Sequence, residues 1–365
     1  MLFTSPLFLF TFLPLTLLAY YGPLRRIRPL QNLLLLLVSL VFYGYGEPEF
    51  IKILIASVFV NWAAGWVVGS HARFRRLAMW GAVAANVGLL FYFKYLAFGV
   101  GQVNFFFGTT WRVPDIVLPL GISFFTFQIF FDFSGYSDMA IGLGRMFGFH
   151  FLENFDHPYV SRSITEFWRR WHISMGTWFR DYVYFPLGGS RSATRARNML
   201  NLLVVWTLTG IWHGANWTFL AWGLMYFALI ACEKLLRVDR RAGAGALASM
   251  VGWAYTMFFV MVGWVFFRAT SLAQGWRYLG TLFGYGVEFG LESKTRLLIS
   301  ENAVFLVFAV LFSMPLRRWS QGIVARLRSA APLRIAGDVL YAGWIVGILV
   351  VSVSYLAKGA HNPFI

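Results

Sequence analysis

The chain has 365 residues, 59% of them hydrophobic, 19% aromatic and only 13% charged, where an average soluble domain carries about a quarter charged residues. Lys and Arg nevertheless number 31 against 15 Asp and Glu, a formal net charge of +16. This pairing excludes a disordered chain, which needs low hydrophobicity, and argues against a soluble nucleic-acid binder, whose basic surface encloses an ordinary core.

Sixteen Trp and 39 Phe point instead to an all-α polytopic membrane protein. Taken in chain order, ten apolar runs approach the ~20 residues of a helical bilayer crossing: 3–21, 31–46, 50–69, 78–98, 116–133, 199–213, 216–233, 247–267, 298–316 and 336–357. The run 199–213 is short, and 137–150 reads as a partial or re-entrant segment. The first run reads as an uncleaved helix, because no basic region precedes it and no A-x-A-like site follows. The single cysteine, Cys232, excludes an intrachain disulfide and a Cys-based metal site.

Charge alternates along this ladder. Basic residues gather at Arg25–Arg28, Arg73–Arg76, Arg162–Arg197, Lys234–Arg241 and Arg317–Arg334, while the intervening loops before residue 268 are acidic or nearly free of cations and 268–296 carries Glu288 and Glu292 beside Arg268, Arg277, Lys294 and Arg296. Lys and Arg mark the cytoplasmic side, so both termini are expected outside the cytoplasm. No repeat divides the chain. One membrane domain is expected over 1–365: N-terminal helices to 133, a core over 134–235 with a cytoplasmic insertion at 153–198, and C-terminal helices from 236.

Three constellations stand out. In the insertion, Ser163-x-x-Glu166 is a capping-box pattern that predicts a helix from Ile164. Ile164, Phe167, Trp168, Trp171, Met175 and Trp178 follow at helical spacing, with Arg169 and Arg170 on the other side. This reads as one amphipathic helix lying in the interface plane. On its own, His172 reads there first as a headgroup contact.

The second constellation is Gly210-Ile-Trp212-His213-Gly-Ala-Asn216-Trp217, at the bend between two apolar runs. An ionisable group at such depth is costly and suggests function, although a buried histidine bonded to a neighbouring helix fits the spacing equally. Gly210 and Gly214 form a small-xxx-small pair that permits close helix contact, and Asn216 is placed to orient the His213 ring. The third is Asp132-Phe-Ser134-Gly-Tyr-Ser-Asp138, read as a polar packing cluster. Its carboxylates are six residues apart and pair only if the helix breaks at Gly135.

Taken together, the motifs Asp132–Asp138, Glu153-Asn-Phe, Pro158-Tyr, Ser161-Arg-Ser-Ile-Thr-Glu-Phe-Trp-Arg-Arg-Trp-His172-Ile-Ser, Trp178-Phe-Arg-Asp-Tyr, Pro186-Leu-Gly-Gly189 and Gly210-Ile-Trp-His213-Gly-Ala resemble the membrane-bound O-acyltransferases, in the bacterial alginate O-acetyltransferase branch. The teichoic-acid D-alanylation proteins look like more distant cousins. The resemblance implies that His213 is the catalytic histidine and His172 a second functional one near the cytoplasmic entrance of a tunnel. Trp212, Asn216, Asp138, Ser134, Arg169 and Arg170 are then candidates for lining the tunnel or meeting substrate.

The reaction so implied moves an acyl group, acetyl in the favoured case, from a cytoplasmic thioester such as acetyl-CoA. The acceptor is a hydroxyl of an exported polysaccharide such as alginate, or a periplasmic partner protein. No metal and no tightly bound cofactor is implied. One departure is visible: relatives carry a long stretch between the segment resembling Ile122–Gln128 and the Asp132 block, which here adjoin, as if by an internal deletion. A D-alanyl transferase and a catalytically impaired membrane scaffold are the competing readings.

Overall fold

A computed structural model describes residues 5–46, 48–70, 74–112, 126–191, 194–236 and 245–285, with isolated positions beyond, up to 350. The elements among the described residues are helices, and the one β-type pairing there is an isolated bridge between Phe155 and Trp171. Two compact units are formed, one from residues 1–122 with 331–365 and the other from 123–330.

The first unit contains α1 (Leu13–Tyr21), α2 (Arg28–Gly46), α3 (Ile51–Ser70), α4 (Arg75–Leu90) and α5 (Leu96–Phe107). Along α3, Phe59, Trp62 and Trp66 are 60–65% exposed. A helix this apolar on every side requires an apolar surrounding, which is lipid. Within the α3–α4 pair the amides of Asn61 and Asn86 donate reciprocally, at 3.2 and 2.8 Å, the kind of polar tie that joins helices where water is absent. The run expected to end near residue 98 continues instead to Phe107, through a π-helical turn at Phe91–Tyr95.

The second unit contains α6 (Thr126–Met146), α7 (Ile164–Arg170), α8 (Ile173–Phe179), α9 (Arg195–His213), α10 (Trp217–Leu236), α11 (Ala246–Arg268) and α12 (Leu272–Leu282). The expected re-entrant segment 137–150 is in fact the second half of the continuous helix α6, followed by a turn. Because α6 runs unbroken through Gly135, positions 132 and 138 do not share a helix face. Among the described residues, five helical stretches are long and apolar enough to cross a membrane: Arg28–Gly46, Ile51–Ser70, Leu77–Phe107, Trp217–Leu236 and Ala246–Arg268. The expected runs 298–316 and 336–357, and the start of 116–133, lie largely outside the described residues.

The α9–α10 hairpin is the frame of the second unit. A Cβ on Gly210 would stand 2.6 Å from the Phe219 carbonyl oxygen, and one on Gly223 would collide with the Trp206 carbonyl. The close contact therefore pairs Gly210 with Gly223 across the hairpin. Gly214, expected as the second small residue of the contact, lies in the bend against the Phe219 ring. Trp206, Trp222, Tyr226, Val260 and Trp264 pack with Ile164, Phe167 and Trp171 into one buried cluster.

Candidate active site

The amphipathic helix expected from Ile164 to Trp178 is two short helices with a break at the candidate histidine. Trp171 is extended, and His172 adopts φ 49° and ψ 53° before α8 begins. A left-handed backbone at a non-glycine residue is uncommon, and here the surroundings hold it. The Asp156 N–H donates to the Arg170 carbonyl at 2.9 Å, and the Ile173 N–H donates to the Asn154 carbonyl at 3.0 Å. The segment 154–156 thus takes hydrogen bonds that a continuous helix would have used.

Burial also differs from the expected interfacial helix. Ile164 and Phe167 are fully buried and Trp171 is 4% exposed. These side chains pack against Trp222, Tyr226 and Trp264 rather than facing headgroups, while Trp178 remains exposed.

The N-terminus of α7 is fixed from α10. The first N–H groups of a helix have no partner within it. The N–H groups of Ile164 and Thr165 donate to the Glu233 carboxylate at 2.6 and 2.9 Å, and the Thr165 hydroxyl adds a third bond at 2.6 Å. Ser163 Oγ accepts the Glu166 N–H at 3.0 Å, and Glu166 returns a bond to the Arg162 N–H at 2.9 Å. This is the expected capping box, with its return bond one residue earlier than usual. No local pattern in the sequence marks this role of Glu233, because its partners are 69 and 68 residues away.

His172 is part-buried. Its Nδ1 stands 3.3 Å from Asn154 Oδ1, and burial pushes the imidazole down to about 4, so the ring is neutral at physiological pH. The ring also meets Trp212, with centroids 6.2 Å apart at an angle of 61°. Trp212 packs on His213 at 4.8 Å. These two distances bound the separation of the imidazoles by their sum.

His213 ends α9 and points into an aromatic nest, with ring centroids 4.9 Å from Trp222 and 5.0 Å from Phe267. Asn216 does not orient this ring. Its Oδ1 accepts the Thr218 N–H at 3.1 Å, and its Nδ2 donates to the Thr270 carbonyl at 2.9 Å. It therefore fastens the α9–α10 bend to the α11–α12 turn.

The two arginines part company. Arg170 is bound to Glu166, at 2.9 Å, and to the Asp156 carbonyl, at 3.1 Å, which ties the 154–156 segment to α7. Arg169 is exposed and lines a cavity of about 210 Å³ with Trp168, Met175, Phe179, Arg180 and Trp206. Ser134 hydrogen-bonds Asp138 within α6, and the described contacts do not bring this pair to either histidine. Lys234 donates to Asn198 at 2.6 Å, and Asn198 in turn donates to the Gly189 carbonyl at 3.1 Å, pinning the loop before α9. Among the described residues, no group of three or more His, Cys, Asp or Glu side chains is placed to hold a metal.

Two histidines are thus joined through the Trp212 ring within one all-helical unit. Residues 118–273 match the model of the MBOAT, membrane-bound O-acyltransferase family. The probable alginate O-acetylase AlgI of Azotobacter vinelandii is 34% identical over 78% of this chain and 79% of its own length. The chain belongs to the membrane-bound O-acyltransferase family and is a multi-pass membrane O-acyltransferase.

Two further relatives extend the match. The probable alginate O-acetylase AlgI of Pseudomonas putida is 29% identical over the whole chain and 99% of its own length. That alignment needs 490 positions for the 365 residues here, so the relative carries sequence that this chain lacks. The peptidoglycan O-acetyltransferase of Helicobacter pylori is 24% identical over 86% of each chain.

Proposed function

We propose that this enzyme transfers an acetyl group from a cytoplasmic acyl thioester, acetyl-CoA or an equivalent, to a hydroxyl of an exported polysaccharide, directly or through a periplasmic partner. The observation that carries the reading is the His172–Trp212–His213 contact, which joins the two histidines within one compact unit. The names of the relatives supply the acceptor class. In this reading the protein lies in a bacterial inner membrane with both termini periplasmic, and the cation-rich loops face the cytoplasm.

His213 acts as general base. Its imidazole takes the proton of the acceptor hydroxyl as that oxygen attacks the thioester carbonyl carbon. The C–S bond breaks, and the thiolate receives the proton from the imidazolium, so the reaction is balanced without an oxidant or reductant. His172, neutral and facing Trp212, shares the proton work. Arg169 and Arg180 flank the cavity and would attract a donor's phosphates. The apolar walls suit a narrow pantetheine-like arm. Asp138, Ser134 and Asn216 have structural duties and stand outside the chemistry.

The test is acetyl transfer to surface polysaccharide in a strain lacking its own enzyme. Membranes carrying this chain should acetylate the polymer from an acetyl thioester and should not use a D-alanyl carrier-protein thioester. Use of the D-alanyl carrier-protein thioester in place of the acetyl thioester would favour D-alanyl transfer. Parity with empty vector at normal membrane levels would favour an inactive scaffold, the reading that the missing internal stretch suggests.

A further inference from the structure

We propose that Asn154 is a positioning residue that fixes the His172 ring as its Nδ1–H tautomer, with the lone pair on Nε2. Asn154 Oδ1 already has donors from Ser174. The backbone N–H of Ser174 donates to it at 3.1 Å, and the Ser174 hydroxyl lies at 2.8 Å. A backbone N–H only donates, so the amide atom at this position is the oxygen and not the nitrogen. The orientation of an amide is often assigned from weaker grounds. Here the main chain settles it.

The same oxygen lies 3.3 Å from His172 Nδ1. An oxygen acceptor facing a ring nitrogen requires that nitrogen to carry the proton. A neutral imidazole has one such proton, so Nε2 holds the lone pair. The Asn154 main chain reinforces the arrangement, since its carbonyl accepts the Ile173 N–H at 3.0 Å. One residue thus grips the ring of His172 and the two residues after it. This explains how a side chain on a left-handed, non-helical residue keeps a single orientation, and why its neighbour in the sequence, Phe155, pairs with Trp171.

The proposal rests on the reading of His172 as part of the acyl-transfer site, and the experiment separates the two. The purified full-length protein, carrying nitrogen-labelled histidine, is studied by NMR, with the His172 signals identified by their loss in His172→Gln. Wild type should show a protonated Nδ1 and a bare Nε2. Asn154→Ala should show the proton redistributed between both nitrogens, whereas Asn154→Asp, which keeps an acceptor oxygen, should preserve the wild-type pattern.

In acetyl transfer, Asn154→Ala should lose about tenfold or more in kcat, within the range that general acid–base groups contribute, with little change in the donor KM. Asn154→Asp should recover part of that loss. Ser174→Ala, which removes one bond to Asn154 but leaves its contact with His172, should keep kcat. A wild-type ring protonated on Nε2, or an Asn154→Ala protein that keeps both tautomer and kcat, overturns the assignment. Full activity in His172→Gln overturns the role of His172 itself, and with it the catalytic half of the proposal, whatever the tautomer.

Discussion

The imidazole of His172 meets the indole of Trp212 at 6.2 Å between ring centroids, although the two stand 40 positions apart in the chain, with α8 and most of α9 between them. Trp212 also packs on His213 at 4.8 Å, so this one side chain spaces the two histidines. Trp212→Ala should lower acetyl transfer by about an order of magnitude or more, since misplacement of about 1 Å at a reacting centre costs about 100-fold. Trp212→Phe should fall between wild type and Trp212→Ala. Initial rates at matched membrane levels check this.

Glu233 is 2% exposed and accepts three hydrogen bonds from α7. Glu233→Ala leaves two buried N–H groups without acceptors, each costing about 1–3 kcal/mol. The thermal midpoint of the purified protein should drop clearly. Glu233→Gln, which keeps one acceptor oxygen but turns an NH₂ toward the remaining donors, should lose part of that stability. Activity of the folded fraction should fall with α7, because α7 leads into His172.

These two cases show what the sequence could disclose. Spans such as Ile51–Ser70 and Ala246–Arg268 are legible because uninterrupted apolar runs have few alternatives in a membrane protein. The start of α7 is legible because its cap is local. The break at Trp171–His172 is not: Ile164, Phe167, Trp168, Trp171 and Met175 keep helical spacing, and periodicity carries no record of the competing bonds from residues 154–156. The role of Glu233 is hidden for the same reason, since its partners lie across the fold. His213 stands out in the sequence as an ionisable group between apolar runs, the family motifs give it and His172 their catalytic reading, and Asn154 lies inside one of those motifs without a role that spacing could assign.

Burial lowers the His172 imidazole to about 4 from an ordinary value of 6.5. Between these values the unfolded chain binds the proton and the folded chain does not. Folded-state stability therefore contains a contribution that is complete above about pH 6.5 and is lost as pH falls toward 4. His172→Gln should flatten the fall in thermal midpoint across that window relative to wild type. An unchanged slope would mean that other groups carry the acid sensitivity.

Arg169 and Arg170 should separate on mutation. Arg169→Gln removes a cation from the cavity wall and should raise the donor KM several-fold while leaving the thermal midpoint in place. Arg170→Gln breaks the ties to Glu166 and Asp156 and should lower the thermal midpoint, with activity following the folded fraction. Donor-saturation curves and thermal unfolding on the same preparations distinguish the two.

Gly210 and Gly223 leave no room for side chains where α9 and α10 cross. Gly223→Val should destabilise the hairpin by about 1–3 kcal/mol, the usual cost of overpacking, and lower the yield of folded protein in membranes.

The central claim is that His213 performs the proton transfer that moves an acetyl group to a polysaccharide hydroxyl. Its most direct measurement is polymer acetylation by wild type and His213→Ala, at equal membrane abundance, in cells lacking the endogenous enzyme. Wild type should acetylate the polymer well above empty vector, and His213→Ala should fall to the empty-vector level. A His213→Ala protein that acetylates at the wild-type rate would contradict the account.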